Sequence, residues 1–420
     1  MNLLKTSVLN GVAVLIKTAT MFILNKILAV YVGPGGYAVI GQFQNFIQMV
    51  TTFAGSAINT AVIKYTAEFH ENERKQQAIW KTAGSIILFF SLIFSLLIFI
   101  FQKQLSIYIF HTEIYQSVFI WFAVFLTFFT FNALFLAILN GKKEVLRLVI
   151  ANIVGSIFSL VITSLLAIKY SIYGALIALS IYQSLSFFVT LFICYRSDWF
   201  KLSYLFGKID KIIAKKFVAF VLMALVSAIC VPLSQMVIRS YLTYEYGLTY
   251  AGYWEAMIRL SAAYLMLVTT TLGVYYLPKL SELSNIREIK AEVYMGYKFI
   301  FPIAIMGGIF VYILRDWIIA LLFTKTFLPM RDLFLWQMIG DSLKIGSWIL
   351  AYLMLSKALT RLFIVTEIVF AISSIIFTYI CTQVFGFEGV SIAHLINYGM
   401  YWIVMSFFVF KVLKEKVPVV

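Results

Sequence analysis

Twelve apolar stretches long enough to cross a bilayer run almost end to end through this 420-residue chain. They lie at roughly 6–32, 36–63, 79–102, 114–140, 146–168, 172–195, 215–238, 247–277, 295–323, 330–356, 361–384 and 388–410. A spanning helix needs about 20 apolar residues, so the short connections leave no room for a soluble domain. In hydrocarbon every backbone N–H and C=O must be satisfied internally, which permits only helices or closed barrels. The apolar runs here are continuous rather than alternating, which excludes barrel strands. The sequence therefore predicts an all-α, polytopic membrane protein of about twelve transmembrane helices. Composition agrees: 62% of residues are hydrophobic and 12% charged, about half the charged share of a soluble domain.

The formal charge of +15 is an orientation signal. With the N-terminus placed inside, 23 of the 33 basic residues fall on cytoplasmic ends and loops and 5 on the opposite side, Lys103, Lys169, Arg239, Lys325 and Arg331. The positive-inside rule then puts both termini in the cytoplasm. The excess charge is spent on topology, and no nucleic acid partner is expected. Lys17 in the middle of the first span, with no small-residue cleavage pattern after it, makes that span a signal anchor.

No soluble catalytic signature is present. G-x-x-x-x-G-K-[ST], H-E-x-x-H and G-x-S-x-G are all missing, so no nucleotide, zinc or nucleophile-elbow chemistry is expected. His70, His111 and His394 lie in different segments without ligand spacing, and Cys194, Cys230 and Cys381 form neither a disulfide framework nor a metal set. The chain reads as a transporter without cofactor, metal or catalytic residues.

The longest polar interruption is DWFKLSYLFGKIDKIIAKK, residues 198–216. Its lysines alternate with Trp199, Leu202, Leu205, Phe206, Ile209, Ile212 and Ile213, the pattern of a basic amphipathic helix on the cytoplasmic membrane surface. It divides the chain into a first lobe of six spans, 1–197, a cytoplasmic amphipathic linker, 198–214, and a second lobe of six spans, 215–420. The halves also resemble one another: VYVGPGGYAVIGQFQNF aligns with YEYGLTYAGYWEAMIRL, and LSIYIFHTEIY with WIIALLFTKTF. With an even number of spans in each, the repeats share one orientation about an axis along the membrane normal.

The polar residues inside the spans mark the work. A charge at the centre of a spanning helix costs roughly 2.5–3.5 kcal/mol on insertion scales, and such residues usually face a polar interior. Lys17 and Lys26 occupy the first span, about 13–14 Å apart along its axis and on nearly opposite faces. Gln42, Gln44, Asn45 and Gln48 occupy the second; Gln44 and Gln48 share a face that either joins helices or lines a wet pathway. Glu255 and Arg259 stand four apart, and Asp341 and Lys344 three apart, spacings that allow same-face ion pairs. Gln337, Asp341, Lys344 and Trp348 form one stripe, polar with an aromatic end, which suits a sugar. Glu367 has no local partner in the sequence. Arg315–Asp316 and Arg331–Asp332 are expected at the interface. If the two local pairs cancel, Lys17 and Lys26 leave the first half cationic, which favours an anionic substrate.

At this point the chain resembles the Wzx-type polysaccharide-unit flippases. They are the branch of the multidrug/oligosaccharidyl-lipid/polysaccharide exporter superfamily that includes O-antigen translocases and the enterobacterial lipid III flippase. The likeness covers nearly the whole length. It rests on VLIK and NKILAVYVGPGGY, SYL at 203–205, YYLPKLSEL at 275–283 and, most specifically, MRDLFLWQMIGDSLKIGSWILAYLMLSKA at 330–358. The last block is similar to the lipid III flippase at Arg331-Asp332, Trp336-Gln337, Gly340-Asp341 and Lys344. Where that relative has an aspartate before the Ala-Tyr-Leu run of the eighth span, this chain has Ser261 before Ala262, so the resemblance does not name the sugar.

The resemblance implies two six-helix lobes around a central cavity. It implies alternating access, and an undecaprenyl-pyrophosphate-linked oligosaccharide moved from the cytoplasmic to the periplasmic leaflet without ATP. Lys17, Lys26 and Arg259 are then the residues for the pyrophosphate. Gln44, Gln48, Glu255, Gln337, Asp341 and Lys344 are further substrate contacts, and Asp341 and Glu367 are candidates for ion coupling. Membrane lipid, a polysaccharide polymerase and a chain-length regulator are the implied partners. The alternative is a multidrug or cation antiporter of the same superfamily, which needs an unpaired acidic site. A membrane enzyme of the same pathway fits less well, because the chain has neither large loops nor a D-x-D site; a purely structural scaffold is a further alternative.

Overall fold

The computed structural model describes residues 3–283, 285–357 and 359–416, and every element in them is helical. The helices are α1 (Leu3–Tyr31), α2 (Gly33–Phe53), α3 (Asn59–Glu68), α4 (Glu73–Ile100), α5 (Gln102–Phe110), α6 (Gln116–Gly141), α7 (Val145–Tyr195) and α8 (Lys211–Tyr246). They continue with α9 (Leu248–Thr271), α10 (Leu277–Glu282), α11 (Ile286–Ile313), α12 (Arg315–Leu322), α13 (Phe334–Ser356), α14 (Thr360–Phe385) and α15 (Gly389–Lys416). Each of the expected apolar stretches falls on a helix or a bent pair. Among the described residues eight stretches pass as spans by length and hydropathy, or nine with α2 and α3 taken as one span bent by 68°. Two of these stretches, Val145–Tyr195 and Thr360–Val409, each hold two helices. The polar content of α9, with Glu255 and Arg259, keeps it off that count.

The breaks have local causes. Helix α7 is interrupted at Ser171, whose φ of 52° and ψ of −129° are non-helical. The Ser171 hydroxyl donates to the Tyr31 carbonyl at 2.8 Å, so the break also satisfies an orphan carbonyl at the end of α1. Gly386, at φ 65°, separates α14 from α15 in a conformation that costs glycine little. A five-residue π-helix, Leu272–Tyr276, joins α9 to α10, and Pro278 follows it, a residue that cannot donate to the ladder.

Compactness divides the chain at Pro232–Leu233, inside α8 and further along than residue 215. In the first unit α1 packs along α7, and α6 lies against α3, α4 and α7. Its core gathers Ile58, Val62, Trp80, Ile87, Phe131, Leu134, Phe135 and Ile138. The 198–214 segment is not the amphipathic helix expected from its pattern. It forms a 3-10 turn at Leu202–Leu205, and helix begins only at Lys211. The reason is tertiary. Phe200, Leu205 and Phe217 are buried in that same core, and Trp199 donates to Glu144 at 3.1 Å. A Cβ on Gly84 would meet the Leu205 carbonyl oxygen at 2.2 Å, so glycine lets the segment lie directly on α4. Asp210 then caps α8, accepting from the Ile212 N–H at 2.8 Å. The lysines 201, 208, 211 and 215 stay exposed, as do Leu202, Phe206, Ile209 and Ile212.

In the second unit α13 is central, packed on α11 and α15, with α14 beside α15. The Arg331 guanidinium meets Asp316 at 3.0 Å, both about half exposed, and ties the turn before α13 to α12. The succession of a long and a short helix, α4–α5, recurs as α11–α12, in keeping with an internal repeat.

Candidate functional site

Two buried charge clusters lie within the second unit. The first joins α8 to α9. Glu255, 4% exposed, accepts from Arg259 Nε at 2.7 Å and from Arg239 Nη2 at 2.5 Å, one guanidinium on each carboxylate oxygen. The i,i+4 pair is the one the spacing predicts. Arg239 is a correction: counted with the loop charges of the opposite side, it is 2% exposed and stands over the Trp254 ring at 5.5 Å. Its signal in the sequence is the apolar run on either side, SQMVIRSYL. Two guanidiniums on one carboxylate leave the cluster with one net positive charge. Such a cluster repays desolvation only when every partner is in place.

The second cluster is centred on Asp341, fully buried on α13. Its expected partner was Lys344. Its hydrogen-bonded partner is instead His394 of α15, Nε2 to Oδ1 at 3.0 Å. Tyr264 of α9 donates to Oδ2 at 3.0 Å and Gln337 to Oδ1 at 3.3 Å. Gln337 also reaches Ser261 and Ser391, each at 3.4 Å, so the residue that departs from the lipid III flippase pattern sits against this network. Glycine makes the pair reachable: a Cβ on Gly340 would meet His394 Cδ2 at 2.5 Å. The histidines lack metal-ligand spacing, and the signal of His394 in the sequence is a histidine inside a largely apolar span.

Lys344 stays within electrostatic reach of Asp341 without closing to an ion pair, and meets aromatic faces. Its ammonium lies 4.9 Å from the Trp348 ring centroid and 5.4 Å from that of Tyr398, and among the described residues it makes no ion pair. Trp348, Tyr398 and Lys344 are all partly exposed. Glu367 is also partly exposed on α14, within electrostatic reach of Tyr398 and Tyr401.

In the first unit Lys17 is exposed at mid-span on α1, and Lys26 is partly buried. The glutamine stripe of α2 splits. Gln42 and Asn45 are buried, whereas Gln44 and Gln48 are exposed, so only the second two present amides outward. No set of three histidine, cysteine, aspartate or glutamate residues that could hold a metal occurs among the described residues, and the three cysteines are free.

Each unit thus carries cations, amides and aromatic faces on apolar helices, the chemistry of a membrane transporter. The family model described as polysaccharide biosynthesis protein matches residues 3–284. The chain is 29% identical over 403 residues to the lipid III flippases of Escherichia coli K12 and Shigella flexneri, covering 96% of this chain and 97% of each relative. Among solved structures, the inward-facing conformation of a multidrug resistance MATE family transporter of the MOP superfamily superposes with a TM-score of 0.69. It shares 16% identity over 95% of this chain and 96% of its own, a likeness that speaks for the fold.

Proposed function

The chain belongs to the polysaccharide biosynthesis protein family, and from that premise we propose that it is a flippase for a lipid-linked oligosaccharide. It carries the sugar unit on undecaprenyl pyrophosphate from the cytoplasmic to the periplasmic leaflet of a bacterial inner membrane, with both termini cytoplasmic. The observation that carries this reading is the match to proteins named lipid III flippase over nearly the full length of both chains. The intramembrane chemistry supports it. Sugar hydroxyls cannot cross hydrocarbon without losing the hydrogen bonds of water, and amides, charges and aromatic rings inside apolar helices replace those bonds while the polyprenyl tail stays in lipid.

In this reading Lys17, Lys26 and Arg259 are the cations offered to the pyrophosphate in turn during the cycle, Lys17 and Lys26 lying on nearly opposite faces of α1, and the guanidinium is suited to bidentate phosphate contact. Gln44, Gln48 and the α13 stripe take the sugars, and Asp341 or Glu367 carries a coupling proton or cation during alternating access. A polymerase and a chain-length regulator would receive the product. The second reading, a multidrug antiporter, needs an unpaired acidic site, for which Glu367 is the candidate; Glu255 is held by two guanidiniums and Asp341 is hydrogen-bonded to His394, Tyr264 and Gln337.

The test is deletion of the gene. The flippase reading expects one undecaprenyl-linked oligosaccharide to accumulate on the cytoplasmic leaflet and the plasmid-borne gene to clear it. Increased drug sensitivity with no accumulated oligosaccharide would favour the antiporter.

A further inference from the structure

We infer that residues 201–215 form a docking surface for anionic phospholipid headgroups, on the side that the positive-inside rule makes cytoplasmic. The surface is independent of which substrate the protein moves. Its backbone is pinned to α4. The Ser85 hydroxyl donates to the Gly207 carbonyl at 2.9 Å, and the Asp210 N–H donates to Thr82 Oγ1 at 3.2 Å. The Phe206 ring rests against Phe131 of α6, with centroids 5.9 Å apart. Yet four apolar side chains of this fixed segment stay in the open: Leu202, Phe206, Ile209 and Ile212 are 41% to 73% exposed. Lys201, Lys208, Lys211 and Lys215 stand among them, all exposed. Lys81 of α4 runs alongside, its Cδ 3.4 Å from the point that a Cβ on Gly207 would take.

The level of the segment follows from α4 and α8. On α4 the exposed apolar surface opens with Phe89 and Phe90, about 6 Å beyond Ser85. On α8 the face that begins with Lys211 and Lys215 continues as Val218 and Leu222, also exposed, at helical spacing. Both helices thus pass from lysine to open apolar surface close to the segment, the order met on going from headgroups into hydrocarbon. Phe206, Ile209 and Ile212 then enter the acyl boundary while the ammonium groups stay among headgroups. Charge selects the lipid. Lysines beside an anionic leaflet are attracted to it over about a Debye length; a phosphatidylcholine headgroup carries its own cation and offers little of this. The segment's carboxylates oppose it weakly. Asp210 is engaged as the cap of α8, accepting from the Ile212 and Ile213 N–H groups at 2.8 and 3.2 Å, which leaves Asp198. That cap also closes the start of α8 to an outside phosphate, so the lysines are what the headgroup meets.

The experiment uses the full chain in phosphatidylcholine membranes containing a trace of photoactivatable lipid, either phosphatidylglycerol or phosphatidylcholine with the same acyl chains, and maps the labelled residues by mass spectrometry. In wild type the 201–215 segment should take up the anionic probe about tenfold more than the zwitterionic one, and the ratio should fall as salt is raised. Changing the four lysines together, Lys201→Gln, Lys208→Gln, Lys211→Gln and Lys215→Gln, should bring the ratio to about one, whereas the four Lys→Arg changes should keep it. Labelling of α4 beyond Phe89 should be the same for both probes in every variant, which reports a folded, inserted chain. Equal labelling of the segment by the two probes in wild type would overturn the proposal, even if no variant folds. Labelling of α4 with none on the segment would also overturn it, by placing the segment off the membrane. Displacement of the phosphatidylglycerol probe by unlabelled undecaprenyl phosphate, and not by unlabelled phosphatidylglycerol, would overturn it by assigning the segment to the polyprenyl carrier.

Discussion

The carboxylate of Asp341 is held by His394, from the last helix and 3.0 Å away, while Lys344, one turn along its own helix, faces Trp348 and Tyr398. This arrangement fixes which residues should act as a unit. Asp341→Asn and His394→Gln should each lower thermal stability in detergent, and the double variant should be less damaged than the sum. The coupling should be about 1–3 kcal/mol, the range for residues in one hydrogen-bonded network. Strict additivity would mean the pair is not formed.

Gly340 tests the same contact through packing. An added methyl group would meet His394 Cδ2 at 2.5 Å and the Leu395 backbone at 3.1 Å. Gly340→Ala should therefore displace α15 from Asp341 and cost about 1–3 kcal/mol, as overpacking does. A melting curve identical to that of wild type would show that His394 can yield freely.

The Arg239–Glu255–Arg259 cluster predicts an order of damage. Glu255→Gln leaves two guanidiniums facing each other in a buried site, and losing one partner of such a cluster costs about 3–5 kcal/mol. Arg259→Gln still leaves Glu255 with Arg239. The fraction surviving heating, read by size-exclusion chromatography, should fall further for Glu255→Gln than for Arg259→Gln. The reverse order would contradict the geometry.

Lys17 makes no ion pair among the described residues and is exposed at mid-span. Lys17→Ala should therefore leave the melting temperature within about 2 °C of wild type, as for a surface substitution, yet fail to restore surface polysaccharide to a deletion strain. Full complementation would remove Lys17 from the substrate path.

The legible and illegible parts of this fold separate by range. The apolar stretches were legible because membrane insertion demands them, and the Glu255–Arg259 pair because helix geometry fixes i,i+4 neighbours. Arg239 and His394 were not legible as partners, since each reaches its carboxylate from another helix. The 198–214 segment misled for a related reason. Its alternation of lysine and apolar residues fits a surface helix, but Phe200 and Leu205 find burial in the first unit's core, and tertiary packing overrides the local pattern.

The most direct test of the flippase reading is a liposome containing the purified chain and its undecaprenyl-pyrophosphate-linked oligosaccharide, with a potential of either sign and no nucleotide. Two negative charges crossing the whole field gain roughly 4–5 kcal/mol per 100 mV. The expected result is nucleotide-free flipping that accelerates when the donor side is negative and slows when the sign is reversed. Flipping that ignores the potential and ion gradients and requires ATP would contradict it.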